Sequence, residues 1–561
     1  MFPQRYGLAI GWAAVFLILT MATSIQAQPA RPAEGKSGMV ATAHPLASLI
    51  GEEILKKGGN AVDAAVGAAF GLGVVEPNAS GLGGGGFILI YQAKSKDVVT
   101  IDYRERAPLK ATSDMYKLTP DGKVVDDEIT VGHKAVAVPG TPAGLTLALQ
   151  QYGTMSLMDV VAPAIQIAEE GYLVSMTFNG MMKDNFEKLS KFPAASKVYL
   201  KDGLPYEVGD RIRLTDLAKT YRLIAAKGAD VFYKGEIAEA IEKEMKASGT
   251  GLITREDLAA YRATMRTPIR GSYRGYEIIS MAPPSSGGTH IIQLLNILEG
   301  YDMGKLGHNS SASLHIMAEA MKRVFADRSK YMGDPDFVRV PVKGLISKKY
   351  ADELRTGISL DGVSEKIPAG NPVPYGSGGT SHLSVIDKDG NLVALTQTIN
   401  YFFGSGVLVP ETGIMLNNEM DDFVPKPGTM NSIAPKKKPL SSMSPTLVLK
   451  DGKPFLSFGS PGATRIITAL SQILVNVIDH KMNLQEAINA PRIHCMTGEI
   501  FMESRIPKDV QQALINKGHK LSVRKEMDLY FGGAQGVMID LKSGTLFGAA
   551  DPRRDGMARG Y

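Results

Sequence analysis

The sequence predicts a protein of the α+β class, with strand and helix patterns in several parts of the chain. Its clearest strand pattern is a pair of runs with alternating apolar and polar residues, over residues 381–387 and 391–398. Between them stands Lys388-Asp389-Gly390, whose glycine can take the left-handed conformation that a tight turn requires, so the two runs form a hairpin. Further strands are predicted over residues 87–91 and 98–103, and helices over residues 45–57, 61–75, 289–298 and 313–331.

The register of this hairpin follows from its apolar residues. A loop of two residues would place Leu383 opposite a threonine, whereas a loop of three residues pairs Leu383 with Leu395. We predict the three-residue loop, because directly opposed side chains share a face of the sheet and apolar residues are expected to meet there. This register also places Thr398 across from Thr380.

Thr380 stands where a stretch rich in glycine and proline, residues 372–379, meets the first strand of the hairpin. A threonine freed at a new chain terminus is a complete small catalyst, because its hydroxyl is a nucleophile and its own α-amino group, with a pKa of about 7.7–8.0, is a base. The alternative is that Thr380 simply begins a strand, which is the commoner role of a threonine. We predict that the chain cuts itself before Thr380, and the motifs around it decide between the two interpretations.

Composition excludes several classes of function. The chain has 561 residues with 44% apolar content, enough for one large domain or two fused ones. Its 62 basic and 57 acidic residues give a formal charge of +5 without a long basic run, so no nucleic-acid partner is expected. The nine histidines show no metal-ligand spacing, so neither a metal nor another cofactor is predicted. Cys495 is the only cysteine, which rules out an intramolecular disulfide, and it is interpreted as a buried apolar residue.

The first 27 residues have the layout of a secretory signal peptide. Arg5 precedes an apolar stretch over residues 7–22, and a short polar segment ends at Ala27, where cleavage is predicted. The alternative is an uncleaved membrane anchor, which the alanine-rich polar end argues against. A periplasmic or secreted location without a stable membrane anchor is therefore expected.

The remaining patterns along the chain have structural interpretations. Residues 78–87 contain a formal G-x-G-x-x-G, but a strand follows instead of a helix, so a tight backbone crossing is predicted and not a nucleotide site. Residues 138–350 are predicted to be mainly helical, and Asn60 is a suitable N-cap for the helix after it. The predicted breaks in the helical region lie at Pro193, Gly228 and residues 281–288. Charged residues of the helix over 313–331 are interpreted as an ion-pair network, namely His315, Glu319, Asp327 and Arg328.

Five motifs in order resemble those of γ-glutamyltranspeptidases. They are GTSHLSVIDKDGNLVALTQTIN from Gly379, FGSG from Phe403, GIMLNNEMDDF over residues 413–423, PLSSMSPT over 439–446 and GSPGATRI over 459–466. The resemblance covers the chain after the signal peptide, and several long motifs in one order are more specific than any single pattern. Members of this family are N-terminal-nucleophile hydrolases that mature by autocleavage.

This resemblance implies a four-layer αββα sandwich built jointly by two fragments. The large fragment would comprise residues 28–379 and the small, catalytic fragment residues 380–561, paired as a heterodimer. The implied activity is transfer of the γ-glutamyl group from glutathione and related γ-glutamyl amides to amino acids, peptides or water. The implied intermediate is an ester on the hydroxyl of Thr380.

The resemblance also assigns the site, one residue at a time. Thr380 matches the nucleophile, Thr398 the hydroxyl that supports it, and Gly462 and Ala463 the backbone amides of the oxyanion hole. Residues matching those that bind the donor's α-carboxylate are Arg104, Ser441 and Ser442, and those matching its α-ammonium ligands are Asn400, Glu419 and Asp422. The donor chemistry agrees, since hydroxyls and a guanidinium donate to an anion whereas carboxylates accept from a cation.

Two departures from the family pattern affect these expectations. Where two glycines are usual the chain has Ala463, which is tolerable unless the backbone needs a positive φ. Residues 424–438 are short compared with members that fold a lid over the substrate, which predicts an open site, and Lys436–Lys438 are interpreted as a solvated loop. The alternatives are a glutaryl or cephalosporin acylase on the same scaffold, and a secreted binding protein that never cleaves itself.

Overall fold

Two seven-stranded antiparallel sheets stack face to face, with helices on both outer sides, in the computed structural model of the chain. This is the αββα sandwich expected from the sequence. The structure describes residues 30–364, 367 and 378–561. The predicted signal peptide, residues 1–27, and residues 372–377 of the glycine- and proline-rich stretch lie outside the described residues.

The first sheet, called sheet I here, contains Thr380 on one of its central strands. Its strands in spatial order are Met557–Gly560, Met39–Thr42, Gly378–Ile386, Leu392–Tyr401, Gly85–Gln92, Asp97–Asp102 and Thr264–Arg266. Those of the second sheet, sheet II, are Ala33–Gly35, Leu546–Ala550, Gln535–Ile539, Lys453–Gly459, Thr446–Lys450, Tyr276–Ser280 and Ile269–Tyr273. Each sheet therefore combines strands from both sides of the bond between Gly379 and Thr380.

The helices divide into two layers according to the core that they share. Those packed with the outer face of sheet I are Pro45–Lys56, Ala61–Val75, Thr141–Tyr152, Leu157–Glu170, Met176–Asp184, Phe186–Lys191, Pro193–Tyr199, Thr215–Lys227, Asp230–Tyr233, Glu236–Ala247 and Arg255–Ala259. Those that share the core of sheet II are Gly287–Leu298, Met303–Leu306, Ser311–Tyr331, Lys348–Thr356, Arg465–Ile478, Leu484–Asn489 and Lys508–Asn516. None of the helices in the described part of the chain has both the length and the apolar character needed to cross a membrane.

Alternation along the central strands separates the two cores. Val393 and Leu395 face the helices outside sheet I, while Leu392 and Ala394 belong to the core between the sheets. This is the period of two that a strand imposes on its side chains. Both faces are buried because one meets helices and the other meets sheet II.

The hairpin has the predicted three-residue loop and the predicted register. Leu383 pairs with Leu395 and Thr380 with Thr398, and Gly390 takes a φ of +83° in the turn. The first strand differs from the prediction in where it begins, because it starts at Gly378 and runs across the bond before Thr380. The predicted cap Asn60 is confirmed, since its side chain accepts hydrogen bonds from the amides of Val62 and Asp63.

The glycine-rich run over residues 78–87 makes the predicted backbone crossing beside the core. A Cβ on Gly84 would lie only 1.9 Å from the carbonyl oxygen of Thr398. Gly84 thus lets the chain pass directly against the strand that carries Thr398. No side chain larger than hydrogen fits there without moving one of the two backbones.

Residues 138–350 are less helical than the sequence predicts. Ile269–Tyr273 and Tyr276–Ser280 form a hairpin at the edge of sheet II, and Thr264–Arg266 forms the edge of sheet I. These strands depend on pairing with distant strands such as Thr446–Lys450, and that pairing leaves little trace in the local sequence pattern. The predicted breaks at Pro193 and Gly228 lie at helix boundaries.

Substitution of Gly459 by alanine is expected to destabilise the contact between the two sheets. A Cβ at this position would lie 2.3 Å from the His382 ring, and overpacking of this kind costs about 1–3 kcal/mol in the free energy of unfolding. Denaturant titration of Gly459→Ala against Gly498→Ala measures the loss, because a Cβ at Gly498 meets nothing within 4 Å. Equal unfolding midpoints for the two variants would contradict it.

Candidate active site

The hydroxyl groups of Thr380 and Thr398 meet at the bond between Gly379 and Thr380. Their Oγ1 atoms lie 3.1 Å apart, and Thr398 Oγ1 donates to the Gly379 carbonyl oxygen at 2.6 Å. Thr398 Oγ1 also accepts from the amide of Asn400 at 2.8 Å. A hydroxyl has a single proton to donate, and that of Thr398 is used on Gly379, so Thr380 is the donor in the contact between the two threonines.

A β-bulge produces this arrangement. Gly379 pairs with Asn400 and Thr380 with Thr398, so Ile399 is an extra residue in the second strand. Asn400 has a φ of +71°, a conformation in which asparagine is among the better tolerated side chains. Bulges of this type redirect side chains next to active sites. Here the bulge lets Thr398 reach the carbonyl of the residue before Thr380.

Arg104 lies in the same cavity, fully buried and surrounded by three carboxylates. Its Nη1 is 2.6 Å from Glu419 Oε2 and 3.4 Å from Glu105 Oε2, and its Nη2 pairs with Asp422. Its Nε and Nη2 also donate to the carbonyls of Pro439 and Leu440. An arginine at the end of a strand usually lies on the surface, but Arg104 lies in a buried ionic cluster.

A second buried ion pair fixes the backbone of Arg104. Asp102 accepts from the Arg104 amide at 3.0 Å through Oδ1, and its Oδ2 lies 2.6 Å from Lys438 Nζ. Lys438 is 2% exposed and Lys437 donates to two carbonyls of its own segment. The prediction of a solvated loop at Lys436–Lys438 is therefore wrong for these two residues. Lys438 pairs with a carboxylate distant in sequence and Lys437 with carbonyls of its own segment, and the run of lysines alone reveals neither partner.

Burial controls the protonation of the carboxylates around Arg104. It raises the pKa of Glu105 to about 7, against the opposing effect of the Arg104 charge. It also raises the pKa of Glu419 well above its usual range, and Arg104 again opposes the rise. Neither oxygen of Glu419 accepts a hydrogen bond of normal geometry from the described residues. Glu419 thus has acceptor capacity left for a ligand.

Ser441 and Ser442 are held in place by residues 281–288 and by Arg328. The amide and the hydroxyl of Ser286 both donate to the Ser441 carbonyl. Arg328 donates to Ser286 Oγ at 2.9 Å and to Ser442 Oγ at 3.1 Å. Arg328 was expected to belong to a structural ion-pair network, but it also lines the cavity. Helical periodicity could not reveal this, because its helix is buried around its whole circumference from residue 313 to 328.

Gly462 and Ala463 stand at the turn before the helix Arg465–Ile478. Their φ angles are +131° and +50°, so Ala463 occupies the left-handed region that glycine tolerates best. Neither amide donates a hydrogen bond within the described part of the chain. The amides are therefore available to a ligand, and the alanine is held in a conformation that its side chain disfavours.

One cavity of about 30 Å³ brings nearly all of the predicted site residues together. The predicted residues that line it are Arg104, Thr380, Thr398, Asn400, Glu419, Asp422, Ser441, Ser442 and Ala463. Gly462 lies next to Ala463 but does not line the cavity. The lining residues that were not predicted as part of the site are Arg328, Met443, Thr464 and Ile466.

Comparison with known proteins agrees with these motifs and this geometry. Residues 47–561 match the family model described as gamma-glutamyltranspeptidase.

The chain belongs to the gamma-glutamyltranspeptidase family.

The chain is similar to proteins named glutathione hydrolase and to proteins named acylase, in each case over nearly the whole length of both chains. A protein of Escherichia coli (strain K12) named glutathione hydrolase proenzyme is 46% identical over 546 residues, covering 94% of this chain and 93% of that protein. Acylase ACY 1 proenzyme of Pseudomonas sp. (strain SE83) is 46% identical over 535 residues, covering 94% of each chain. The crystal structure of cephalosporin acylase from Bacillus halodurans superposes with a TM-score of 0.86 at 31% identity, covering 96% of this chain and 99% of that one.

Other titratable groups near the centre of this transpeptidase fold have packing roles. His382 is hydrogen-bonded to the hydroxyls of Thr396 and Ser384, and burial lowers the pKa of His382 to about 3. Burial raises the pKa of Cys495 to about 12, so its thiol is not an activated nucleophile. Across residues 30–364 and 378–561, no group of three or more potential ligands could hold a metal ion.

Replacing Glu105 by glutamine is expected to make the free energy of unfolding fall less as the pH rises. A carboxyl whose pKa is raised by folding stabilises the folded state fully below the unfolded pKa of 4.5, and this contribution is lost as pH rises towards about 7. Glutamine does not titrate, so the free energy of unfolding of Glu105→Gln falls less between these pH values. Denaturant titrations from pH 4 to 8 test this, with the exposed Glu256→Gln as control. Equal slopes for Glu105→Gln and the native chain would contradict it.

Proposed function

We propose that this chain is a proenzyme that cuts itself between Gly379 and Thr380, and that the product transfers or hydrolyses the γ-glutamyl group of glutathione and related amides. The observation that carries the proposal is the presence, in one cavity, of the two threonine hydroxyls and the buried cluster of Arg104, Glu419 and Asp422. Membership in the gamma-glutamyltranspeptidase family and the relatives named glutathione hydrolase proenzyme support it.

Maturation begins at the carbonyl of Gly379, which Thr398 already polarises through its hydrogen bond. Thr380 Oγ adds to the carbonyl carbon, its proton passes to Thr398, and the proton of Thr398 moves to the carbonyl oxygen. The intermediate then collapses with breakage of the C–N bond, and its hydroxyl proton passes to the departing nitrogen of Thr380. The resulting ester is hydrolysed by water, which leaves a carboxylate on Gly379 and a free amine and hydroxyl on Thr380.

Turnover uses the same hydroxyl with the new amine as its base. Thr380 Oγ adds to the γ-carbonyl carbon of the donor while the α-amine takes the hydroxyl proton. The amides of Gly462 and Ala463 stabilise the oxyanion, and each donor in such a site contributes about 2.7–4 kcal/mol to lowering the barrier. The protonated amine then gives its proton to the leaving amine, and an amino acid, a peptide or water cleaves the γ-glutamyl ester.

Donor recognition follows from the charges around Arg104. The α-carboxylate accepts hydrogen bonds from the guanidinium of Arg104 and from the hydroxyls of Ser441 and Ser442. Glu419 and Asp422 exchange their pairing with Arg104 for pairing with the α-ammonium. Asn400 completes the ammonium site. Because the donor's α-amino acid end is a zwitterion, it inserts into this ionic cluster without changing the buried net charge. An acyl group that lacks the ammonium would leave the buried Glu419 and the half-buried Asp422 without a new cation, which argues against the acylase alternative.

The two fragments would remain associated without a disulfide. Met39–Thr42, from residues 28–379, pairs on one side with Gly378–Ile386 and on the other with Met557–Gly560. Separation would expose both sheets, so residues 28–379 and 380–561 form the proposed heterodimer. The signal-like layout of residues 1–27 supports a periplasmic or secreted enzyme.

The segment over residues 424–438 supports the proposal of an open site. None of its residues is among those that line the cavity, and its end is held by the ion pair of Lys438 with Asp102. Without a lid, water reaches the acyl-enzyme more easily. Hydrolysis is therefore proposed to compete well with transfer.

The test of self-cleavage compares the native chain with variants at Thr380 and Thr398. Thr380→Ala is expected to remain one chain, whereas the native chain yields a fragment beginning Thr-Ser-His-Leu. Thr398→Val keeps the shape but removes the donor to Gly379, so cleavage slows by about 10²–10³-fold, and Thr398→Ser is the matched control that keeps the hydroxyl. Denaturing electrophoresis over time and amino-terminal sequencing report the result. A single native band without γ-glutamyl hydrolysis would favour the non-cleaving binding protein instead.

Donor specificity is tested with two chromogenic anilides, one γ-glutamyl and one glutaryl, which differ only in the α-ammonium. Glu419→Gln is expected to lower kcat/KM for the γ-glutamyl anilide about 10- to 100-fold, the effect of losing a hydrogen bond to a charged group. It should change the glutaryl rate little. Asp421→Asn is the control, because Asp421 is the neighbouring carboxylate that does not line the cavity. A native preference for the glutaryl anilide would indicate an acylase.

A further inference from the structure

Arg554 holds the backbone of Thr380 from the side opposite the second hairpin strand. Its Nη1 donates to the Thr380 carbonyl oxygen at 2.8 Å, and its side chain is 1% exposed. The guanidinium lies over the Phe402 ring at 5.5 Å. On another side the stem passes Gly533 so closely that a Cβ there would lie 2.8 Å from it. The site for this arginine is thus built by the fold.

The need for Arg554 follows from the shape of sheet I. The neighbouring strand Met39–Thr42 pairs with the first hairpin strand only from Leu383 onwards. Thr380 and Ser381 therefore extend beyond it and have no strand on that side. Polar groups of a buried strand require partners, and Arg554 supplies one to the carbonyl of Thr380.

Glu76 provides the matching negative charge. It follows the helix Ala61–Val75 and is buried, with Oε1 3.7 Å from Arg554 Nη1. Its other oxygen accepts from the Ser381 hydroxyl. Glu76 thus connects Arg554 to the residue after Thr380. The group combines residues from both proposed fragments, and it contacts the threonine pair through the carbonyl oxygen of Thr380, not through a threonine hydroxyl.

We propose that Arg554, oriented by Glu76, is a positioning residue for the nucleophile of the mature enzyme, an inference that rests on the proposed function. Cleavage breaks the bond between Gly379 and Thr380, so Thr380 loses its covalent anchor on the amino-terminal side. The α-amine and the Oγ are both attached through the Cα of Thr380, so holding the carbonyl on the third branch restricts both. Arg554 keeps the base and the nucleophile aligned with the oxyanion amides when the chain end is free.

The experiment measures turnover per mature site in Arg554→Met. Full-length chains are expressed, the amount of the fragment beginning at Thr380 is quantified, and kcat and KM for a γ-glutamyl anilide are normalised to it. Arg554→Met is expected to lower kcat about 100-fold with KM changed by less than about threefold, as for a misplaced catalytic group. Arg554→Lys, which keeps a donor, is expected to recover about tenfold of this loss.

Two further variants separate positioning from stability. Glu76→Gln/Arg554→Met removes both charges, so no uncompensated carboxylate remains to unfold the chain, and its kcat is expected to stay as low as in Arg554→Met. Arg559→Met is the control, because Arg559 belongs to the same C-terminal segment and pairs with Glu52. The inference is overturned if Arg554→Met matches Arg559→Met, or if the double variant regains native kcat. Absence of cleavage and hydrolysis in the native chain would instead refute the proposed function itself.

Discussion

The antiparallel pairing of Gly378–Ile386 with Leu392–Tyr401 is the interaction on which the rest of this structure depends. It occupies the middle of sheet I, so both of its faces are buried and its register is fixed by apolar residues on each side. That register puts two threonine hydroxyls opposite each other, and a single extra residue, Ile399, turns one of them towards the carbonyl of Gly379. The same ladder that stabilises the sheet therefore places the groups that are proposed to react.

A buried charge cluster is the second constraint. One guanidinium and three carboxylates share a space from which water is largely excluded, an arrangement that is costly unless the charges compensate one another. In the free protein they compensate among themselves, with burial raising the pKa of Glu105 and Glu419. In the proposed donor recognition, an incoming α-amino acid replaces these pairings one for one. The residues that compensate one another in the free protein are therefore the ones proposed to select a zwitterion.

The third constraint is continuity across a bond that is proposed to break. Both sheets contain strands from before and after Gly379, so the proposed fragments would share both cores after cleavage without a disulfide. The local consequence is different, because the end of a central strand becomes a chain terminus. The neighbouring strand Met39–Thr42 is too short to pair with Thr380. Arg554, which is paired with Glu76, supplies a hydrogen bond to the Thr380 carbonyl in place of that strand.

The sequence by itself determined the central hairpin, its register, the helix over residues 61–75 and nine of the thirteen residues that line the cavity. Those features depend on local alternation, turn residues and motifs, all of which involve residues close together in the sequence. Only the tertiary structure decided that Lys438 is buried against Asp102, that Arg328 faces the site, that Ala463 needs a positive φ and that Arg554 reaches Thr380. Each of these is a contact between residues far apart in the chain, or a backbone angle imposed by such contacts. The local sequence around a charged residue or a helix face does not identify the distant residue that will contact it in the folded protein.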